Sequence, residues 1–120
     1  ADNSYKTAVK RTCFWSLPDV LVIHFVRWNS HLRKDRRQIN FPRDCLDMSK
    51  YVVGYRPSEY KYSLCGVCNH HGGHNGGHYT CFVRDIHGKW LLCNDGIVKQ
   101  LESHHVCSQN AYILFYTKIK

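Results

Sequence analysis

The chain has 120 residues, of which 43% are hydrophobic and 13% aromatic, and its formal net charge is +8. This length allows one domain with a substantial core, and the apolar and aromatic content argues against disorder. No apolar run approaches the length of a membrane span, and the polar N-terminus lacks the apolar segment of a secretory signal.

The predicted elements, taken in chain order, are mostly strands. A continuous apolar run rich in β-branched residues, 20–26, predicts a strand buried on both faces. A short return strand over 38–41, a helical turn over 46–51 and an alternating, half-buried strand over 59–68 follow. Two strands flank a turn at 85–89, another follows a turn at 94–96, and a last buried strand covers 111–116. We therefore predict a β-rich α+β domain built on an antiparallel sheet.

Positive charge is concentrated between residues 27 and 43, around the run Arg33–Arg37. Such a cluster raises nucleic acid as a partner. However, Asp35 interrupts the run, and no aromatic residues are interleaved with it to stack on bases. We therefore favour a solvated hairpin tip here over a nucleic-acid interface, which stays open as an alternative function class.

Seven cysteines are present, and four of them fall in predicted strands: Cys65, Cys68, Cys81 and Cys93. The odd number favours free thiols in a reducing, intracellular compartment, either cytoplasm or nucleus. The CxxC spacing of Cys65 and Cys68 could be half of a zinc site, but an alternating strand would point the two sulfurs to opposite faces. The sequence also contains no second half at finger-like spacing. We expect no metal and no cofactor.

A glycine-rich stretch precedes His78, with four glycines in six positions: Gly72, Gly73, Gly76 and Gly77. Glycines let a substrate backbone approach closely and permit turns with positive φ. The residues after His78 have strand composition, so this histidine is expected where a loop meets the sheet. A histidine in this position is a candidate general base.

Asn94 is a candidate orienting residue for His78, because both are expected on one hairpin. If the turn at 85–89 centres on His87, Asn94 lies opposite Thr80. His78 is then two residues along the same face, about 7 Å away, and the side chains can meet. A shift of one residue in the register would place them on opposite faces.

Five blocks of the sequence occur in an order and spacing typical of one family. Residues 17–28 are similar to LPxVLxIHLKRF, Phe41-Pro42 with Leu46-Asp47-Met48 to FPxxLDL, 62–70 with 76–80 to a histidine box, 90–95 to W…F(N/D)D, and 111–116 to AYxLFY. Together they resemble the C-terminal half of the catalytic domain of the ubiquitin-specific proteases (ubiquitin carboxyl-terminal hydrolases), which are papain-like cysteine peptidases. The blocks cover nearly the whole chain.

The resemblance implies a thiol-dependent deubiquitinating hydrolase that cleaves after the C-terminal Gly-Gly of ubiquitin. The sheet would correspond to the palm of these proteases. Their nucleophile lies in an N-terminal block similar to GNTCYMN, and none of the seven cysteines has that context. We therefore expect residues 1–120 to form one partial catalytic domain, without the helical thumb half, that is inactive alone. Expected partners are ubiquitin or ubiquitinated proteins and the N-terminal half of the same domain, with no membrane.

The resemblance also implies roles for individual residues. His78 would take the proton of the cysteine supplied by the other half, Asn94 would orient His78, and Asp95 would assist. Positions expected to contact the C-terminal tail of ubiquitin are Gly76, Gly77, Tyr79, His70 and Phe41. The alternative is a non-catalytic ubiquitin-binding module, although such a module need not retain His78 and Asn94.

Overall fold

A seven-stranded sheet organises residues 4–120, the part of the chain that this computed structural model describes. The strands are β1 (Val20–His24), β2 (Leu46–Asp47), β3 (Lys61–Gly73), β4 (Gly76–Arg84), β5 (Trp90–Asn94), β6 (Ile97–Leu101) and β7 (Ala111–Lys118). Their order is β1-β7-β3-β4-β5-β6, with β2 paired to the start of β3, and each of these pairs is antiparallel. The predicted β-rich, antiparallel class is confirmed.

Helical structure in the described residues consists of three short 3₁₀ turns, at Ser49–Tyr51, Pro57–Glu59 and Ser103–His105. The helical turn predicted over 46–51 is therefore divided, because its first part pairs with β3 as β2. No helix in the described part of the chain is long and apolar enough to cross a membrane.

The core lies on one face of the sheet, around the centre of β3 and β7. Its buried members are Tyr62, Leu64, Val67, Trp90, Val106, Ala111, Leu114 and Tyr116. The hydroxyl of Tyr62 donates to the carbonyl of Pro18, and that of Tyr116 donates to the carbonyl of Pro42, each at 2.7 Å. Both buried phenols are thus satisfied, and they attach the irregular segments around the two prolines to the sheet.

The strand predicted over 20–26 is not buried on both faces. β1 is an edge strand that pairs only with β7, and its side chains alternate in exposure. Leu21 and Ile23 pack against the core, whereas Val20 and Val22 are each 52% exposed. A run of β-branched residues predicts a strand, but it does not specify how many faces other elements cover.

Two other segments differ from the prediction. Residues 38–41 are irregular and do not form a return strand. The carbonyl of Arg37, just before them, is held by the guanidinium of Arg27 at 2.8 Å instead of by a strand ladder. The strand predicted over 59–68 begins at Lys61 and continues to Gly73, because it goes on pairing with β4 through the glycine-rich stretch.

All seven cysteines are free. Cys68, Cys81 and Cys93 face one another across β3, β4 and β5 in a single row. The thiol of Cys65 donates to the carbonyl of Phe115 at 3.3 Å. Between residues 4 and 120, no group of three or more histidine, cysteine, aspartate or glutamate side chains is arranged to hold a metal ion.

Candidate active site

The glycine-rich stretch is the tip of the hairpin formed by β3 and β4, and its strands stay paired to the end. His71 lies opposite His78, and Gly73 lies opposite Gly76, so His74 and Asn75 form a two-residue turn. His78 is therefore held within a paired strand. The glycine content predicted a loop before His78, whereas the structure has a hairpin whose strands stay paired up to the turn.

Gly77 is required by the packing of the hairpin itself. A Cβ atom built on Gly77 would lie 2.5 Å from Nε2 of His70 and 2.6 Å from the carbonyl oxygen of His71. At Gly76 a Cβ atom would meet nothing within 4 Å. Of these two adjacent glycines, only Gly77 is needed for close approach of the strands, and space beside Gly76 remains open.

The second hairpin, between β4 and β5, has the register that the turn predicted. The amide of Asp85 donates to the carbonyl of Lys89 at 2.8 Å, and the pairing continues to Cys81 opposite Cys93. Oδ1 of Asp85 accepts the amides of His87 and Lys89, at 2.9 and 2.8 Å. The turn thus centres on His87, and these bonds fix its position.

This register brings His78 and Asn94 together. Nε2 of His78 lies 2.7 Å from Oδ1 of Asn94. Because an amide oxygen can only accept, Nε2 carries the ring proton and Nδ1 has the free lone pair. Nδ1 of His78 has no hydrogen-bond partner among the described residues, and the side chain is exposed. It can therefore accept a proton from an incoming group.

The pair lies at one end of a groove of about 380 Å³. Its lining residues are His71, His78, Thr80, Phe82, Leu92, Asn94 and Leu101. Aliphatic and aromatic side chains therefore line much of the groove, and polar groups concentrate around the histidines. Such a surface can exclude water from a reacting group placed against His78.

His71 is a groove residue to which the sequence analysis assigned no role. Its Nε2 lies 3.1 Å from Oγ1 of Thr80, and its ring centroid lies 6.5 Å from that of His78. Burial lowers the pKa of His71, and the charges of His78 and Lys34 lower it further. Only the two-residue turn places His71 opposite His78, so the pairing could be found from sequence only by recognising that turn.

His70 and Tyr79 lie on the other face of the hairpin from His78, because neighbouring residues of a strand alternate. His70 is 7% exposed, and its ring centroid lies 4.9 Å from that of Tyr79. Burial lowers the pKa of His70, with a further contribution from Lys34. Tyr79 is 58% exposed and therefore accessible to a partner.

The structure places the two remaining candidates away from the His78–Asn94 contact. Asp95 is exposed in the turn after β5 with φ of 51°, and within residues 4–120 it makes no hydrogen bond or ion pair with His78. Phe41 packs against the core, with its ring centroid 6.3 Å from that of Phe25, and it does not line the groove formed by the described residues.

A histidine held by an amide oxygen, beside an apolar groove on an antiparallel sheet, is an arrangement that thiol hydrolases of the Cys-His-Asn type use for their base and orienting residue. The family model described as ubiquitin carboxyl-terminal hydrolase matches residues 3–116. The chain belongs to this family.

Curated relatives extend this similarity. A probable ubiquitin carboxyl-terminal hydrolase of Acanthamoeba polyphaga mimivirus is 40% identical over 116 residues, and ubiquitin carboxyl-terminal hydrolase 15 of Bos taurus is 36% identical over 120 residues. These matches cover 92% and 97% of this chain, but 25% and 13% of the relatives. The chain thus spans a quarter or less of the length of these relatives.

Solved structures show the same fold. A SAGA DUB module containing Ubp8 matches with a TM-score of 0.77 and 34% identity, over 87% of this chain and 25% of that chain. A second structure of the module, bound to monoubiquitin, matches with a TM-score of 0.75 and 33% identity, over 87% of this chain and 24% of that chain.

Proposed function

We propose that this chain supplies the general base and its orienting residue to a deubiquitinating thiol hydrolase. The observation that carries the proposal is the 2.7 Å contact between His78 and Asn94 at the end of the groove. Family membership and similarity to a module bound to monoubiquitin support ubiquitin as the substrate.

In this proposal the nucleophile comes from an N-terminal half of the same catalytic domain. Among the described residues that line the groove there is no cysteine. A thiol brought against Nδ1 of His78 would transfer its proton to that atom, and the thiolate would attack the carbonyl carbon of the last glycine of ubiquitin. His78 would then give the proton to the leaving lysine amine, and a thioester would remain.

The same pair would act again in the second half of the reaction. Nδ1 of His78 would take a proton from water, whose hydroxide attacks the thioester, and the proton would pass to the departing thiolate. Asn94 would hold the ring through Nε2 in both steps, so that Nδ1 stays directed at the reacting atoms. Asp95, adjacent in the chain, would assist only through its charge, since it makes no bond to His78 within the described structure.

The hairpin tip is the proposed binding site for the tail of ubiquitin. Space beside Gly76 is open, and Tyr79 is exposed three residues further along the same strand. His70 and Gly77 form the packed layer beneath, where there is no room for a Cβ atom on the glycine. Phe41 is partly buried against the core and lies outside the groove, so we propose that it contacts the tail away from the groove.

The test is hydrolysis of a fluorogenic amide of ubiquitin by the chain alone and mixed with a cysteine-bearing half. We expect turnover only in the mixture, and its loss in His78→Ala. The control is His31→Ala, an exposed histidine outside the groove. Turnover by the chain alone that survives His78→Ala would contradict the assignment. Silence in both samples, with ubiquitin still bound, would favour a non-catalytic ubiquitin-binding module.

A further inference from the structure

In the basic segment that follows β1, Arg33, Arg36 and Arg37 are exposed, as a solvated tip predicts, but the segment is also anchored to the sheet by Arg27 and Lys34. Trp28 and Lys34 form an isolated antiparallel bridge that closes a loop, hereafter the 28–34 loop. Within it, Oδ1 of Asn29 accepts the amides of His31 and Arg33, each at 2.9 Å. These bonds give the loop a fixed conformation, because a short polar side chain replaces the missing ladder.

Arg27 attaches the base of this loop to the sheet. It is 2% exposed, and its Nε donates to the carbonyl of Ala111 at 2.8 Å. Its Nη1 donates to the carbonyls of Asp35 and Arg37, at 2.9 and 2.8 Å. One buried guanidinium therefore connects the start of β7 to the chain on the far side of the loop.

Lys34 extends from this loop to the β3 side of the hairpin. Its Nζ donates to the carbonyls of His70 and Gly72, at 2.8 and 3.3 Å, and lies 2.9 Å from Nδ1 of His70. An ammonium has three donors and no acceptor, so Nδ1 accepts and the ring proton is on Nε2. All three donors of Lys34 are directed at the hairpin.

The contacts continue from Lys34 to the residues of the proposed site. The His70 ring that Lys34 holds occupies the space in which a Cβ atom of Gly77 would lie, and His78 follows Gly77 in the chain. Trp28 adds a second contact, with its ring centroid 6.0 Å from His70 and 6.1 Å from His74 at the tip. The 28–34 loop thus touches the hairpin at its stem and at its turn.

We propose that Lys34 is a positioning residue: its ammonium holds His70 and Gly72 and thereby fixes the hairpin tip that carries Gly76, Gly77 and His78. This inference rests on the proposed function of the hairpin in binding the tail of ubiquitin. His78 has a second attachment, its bond to Asn94. Loss of Lys34 should therefore impair binding of the tail more than the chemical step.

The kinetic test uses Lys34→Met, which keeps most of the aliphatic stem and removes the donors, in the mixture with the cysteine-bearing half. We expect KM for the ubiquitin amide to rise about tenfold, with kcat changed less than about threefold, since bonds from a charged donor are lost. Lys34→Arg should recover part of the loss. Arg37→Met is the matched control, because Arg37 is exposed and its side chain pairs only with Asp35 among the described residues.

A second readout does not depend on activity. In the isotope-labelled chain, Lys34→Met should raise the pKa of His70 toward its ordinary value and speed amide exchange at Gly72 and Gly77, while Arg37→Met leaves both unchanged. The charges facing His70 are those of Lys34, His71 and Arg36, so two of the three remain in the variant. Unchanged exchange and unchanged KM in Lys34→Met would overturn the proposal, as would an equal effect of Arg37→Met. If the wild-type mixture shows no hydrolysis while Lys34→Met still speeds amide exchange at Gly72 and Gly77, the proposed function is wrong but the positioning of the hairpin by Lys34 is supported.

Discussion

At the scale of single residues, the placement of one proton decides what His78 can do. Its Nε2 is held by Oδ1 of Asn94 at 2.7 Å, so the basic nitrogen is the one that faces away from Asn94. An amide in place of a carboxylate orients the ring without a full charge, which a cysteine nucleophile tolerates. We therefore propose the orienting role for Asn94, since Asp95 makes no hydrogen bond to His78 within the described structure.

Asn94→Ala should lower kcat in the reconstituted mixture by about 10- to 100-fold, because the His78 ring loses its one side-chain hydrogen bond among the described residues. Asp95→Ala should lower it by less than about threefold, since Asp95 makes no bond to His78. Steady-state kinetics of the ubiquitin amide measures both. A larger loss in Asp95→Ala than in Asn94→Ala would reverse the assignment of the orienting residue.

At the scale of elements, the β3–β4 hairpin combines a packed face with an open edge. Gly77 lies against His70 and the carbonyl of His71, whereas Gly76 borders free space. Gly77 is thus required by the packing of the hairpin, whereas we propose that a glycine is required at position 76 by the bound substrate. Sequence alone cannot separate them, because the difference depends on which neighbour the opposite strand presents.

Gly77→Ala should reduce the free energy of unfolding by about 1–3 kcal/mol, because the methyl group would overlap the backbone of His71 and the His70 ring. Gly76→Ala should leave stability within about 0.5 kcal/mol and raise KM for the ubiquitin amide, since its methyl group would project into the proposed slot. Urea denaturation and KM are the measurements. Equal destabilisation by the two substitutions would contradict the geometry of the tip.

The hairpin also predicts how stability depends on pH. The pKa values of His70 and His71 are lowered from 6.5, first by burial. As the pH is lowered below 6.5, the unfolded chain therefore binds more protons than the folded chain. The free energy of unfolding decreases over this range and levels off once the pH is below the pKa values of the folded state. His71→Gln should reduce this slope in urea titrations between pH 7 and 5, and exposed His31→Gln is the control. A slope unchanged by His71→Gln would show that this histidine does not contribute.

At the scale of the whole molecule, the sheet covers its core around β3 and β7 but leaves the groove beside His78 open. Phe82, Leu92 and Leu101 line that groove and are each half-buried. In the proposed complete domain, the cysteine-bearing half would cover this surface. The two halves would then stabilise each other, because burial of apolar area favours their association.

Adding the cysteine-bearing half should raise the Tm of this chain in a concentration-dependent way. At a 100-fold excess over Kd, linkage gives about 2.7 kcal/mol of added stability. Leu92→Lys on the groove should weaken this effect, whereas Val98→Lys, on an exposed position of β6 outside the groove, should not. Calorimetry of the mixtures measures the shift, and an unchanged Tm at saturating partner would count against the proposed arrangement of halves.

Local sequence alone determined the strand-rich class, most of the strands and the register of β4 with β5. The turn centred on His87 is a short-range feature, and Asp85 closes it through bonds to residues two and four positions away. Once that turn is placed, the period of two along a strand brings Asn94 to His78. The family resemblance likewise followed from blocks within the chain.

Only the tertiary structure decided the exposure of β1, the pairing of the glycine-rich hairpin to its tip, and the position of the 28–34 loop. Burial of β1 depends on what covers its outer face, and its own residues do not encode this. Lys34 meets His70 across 36 positions of sequence. Such a contact forms because the sheet places β1 and β3 on either side of β7, and the chain after β1 passes the start of β7. No local pattern of charge or hydrophobicity specifies it.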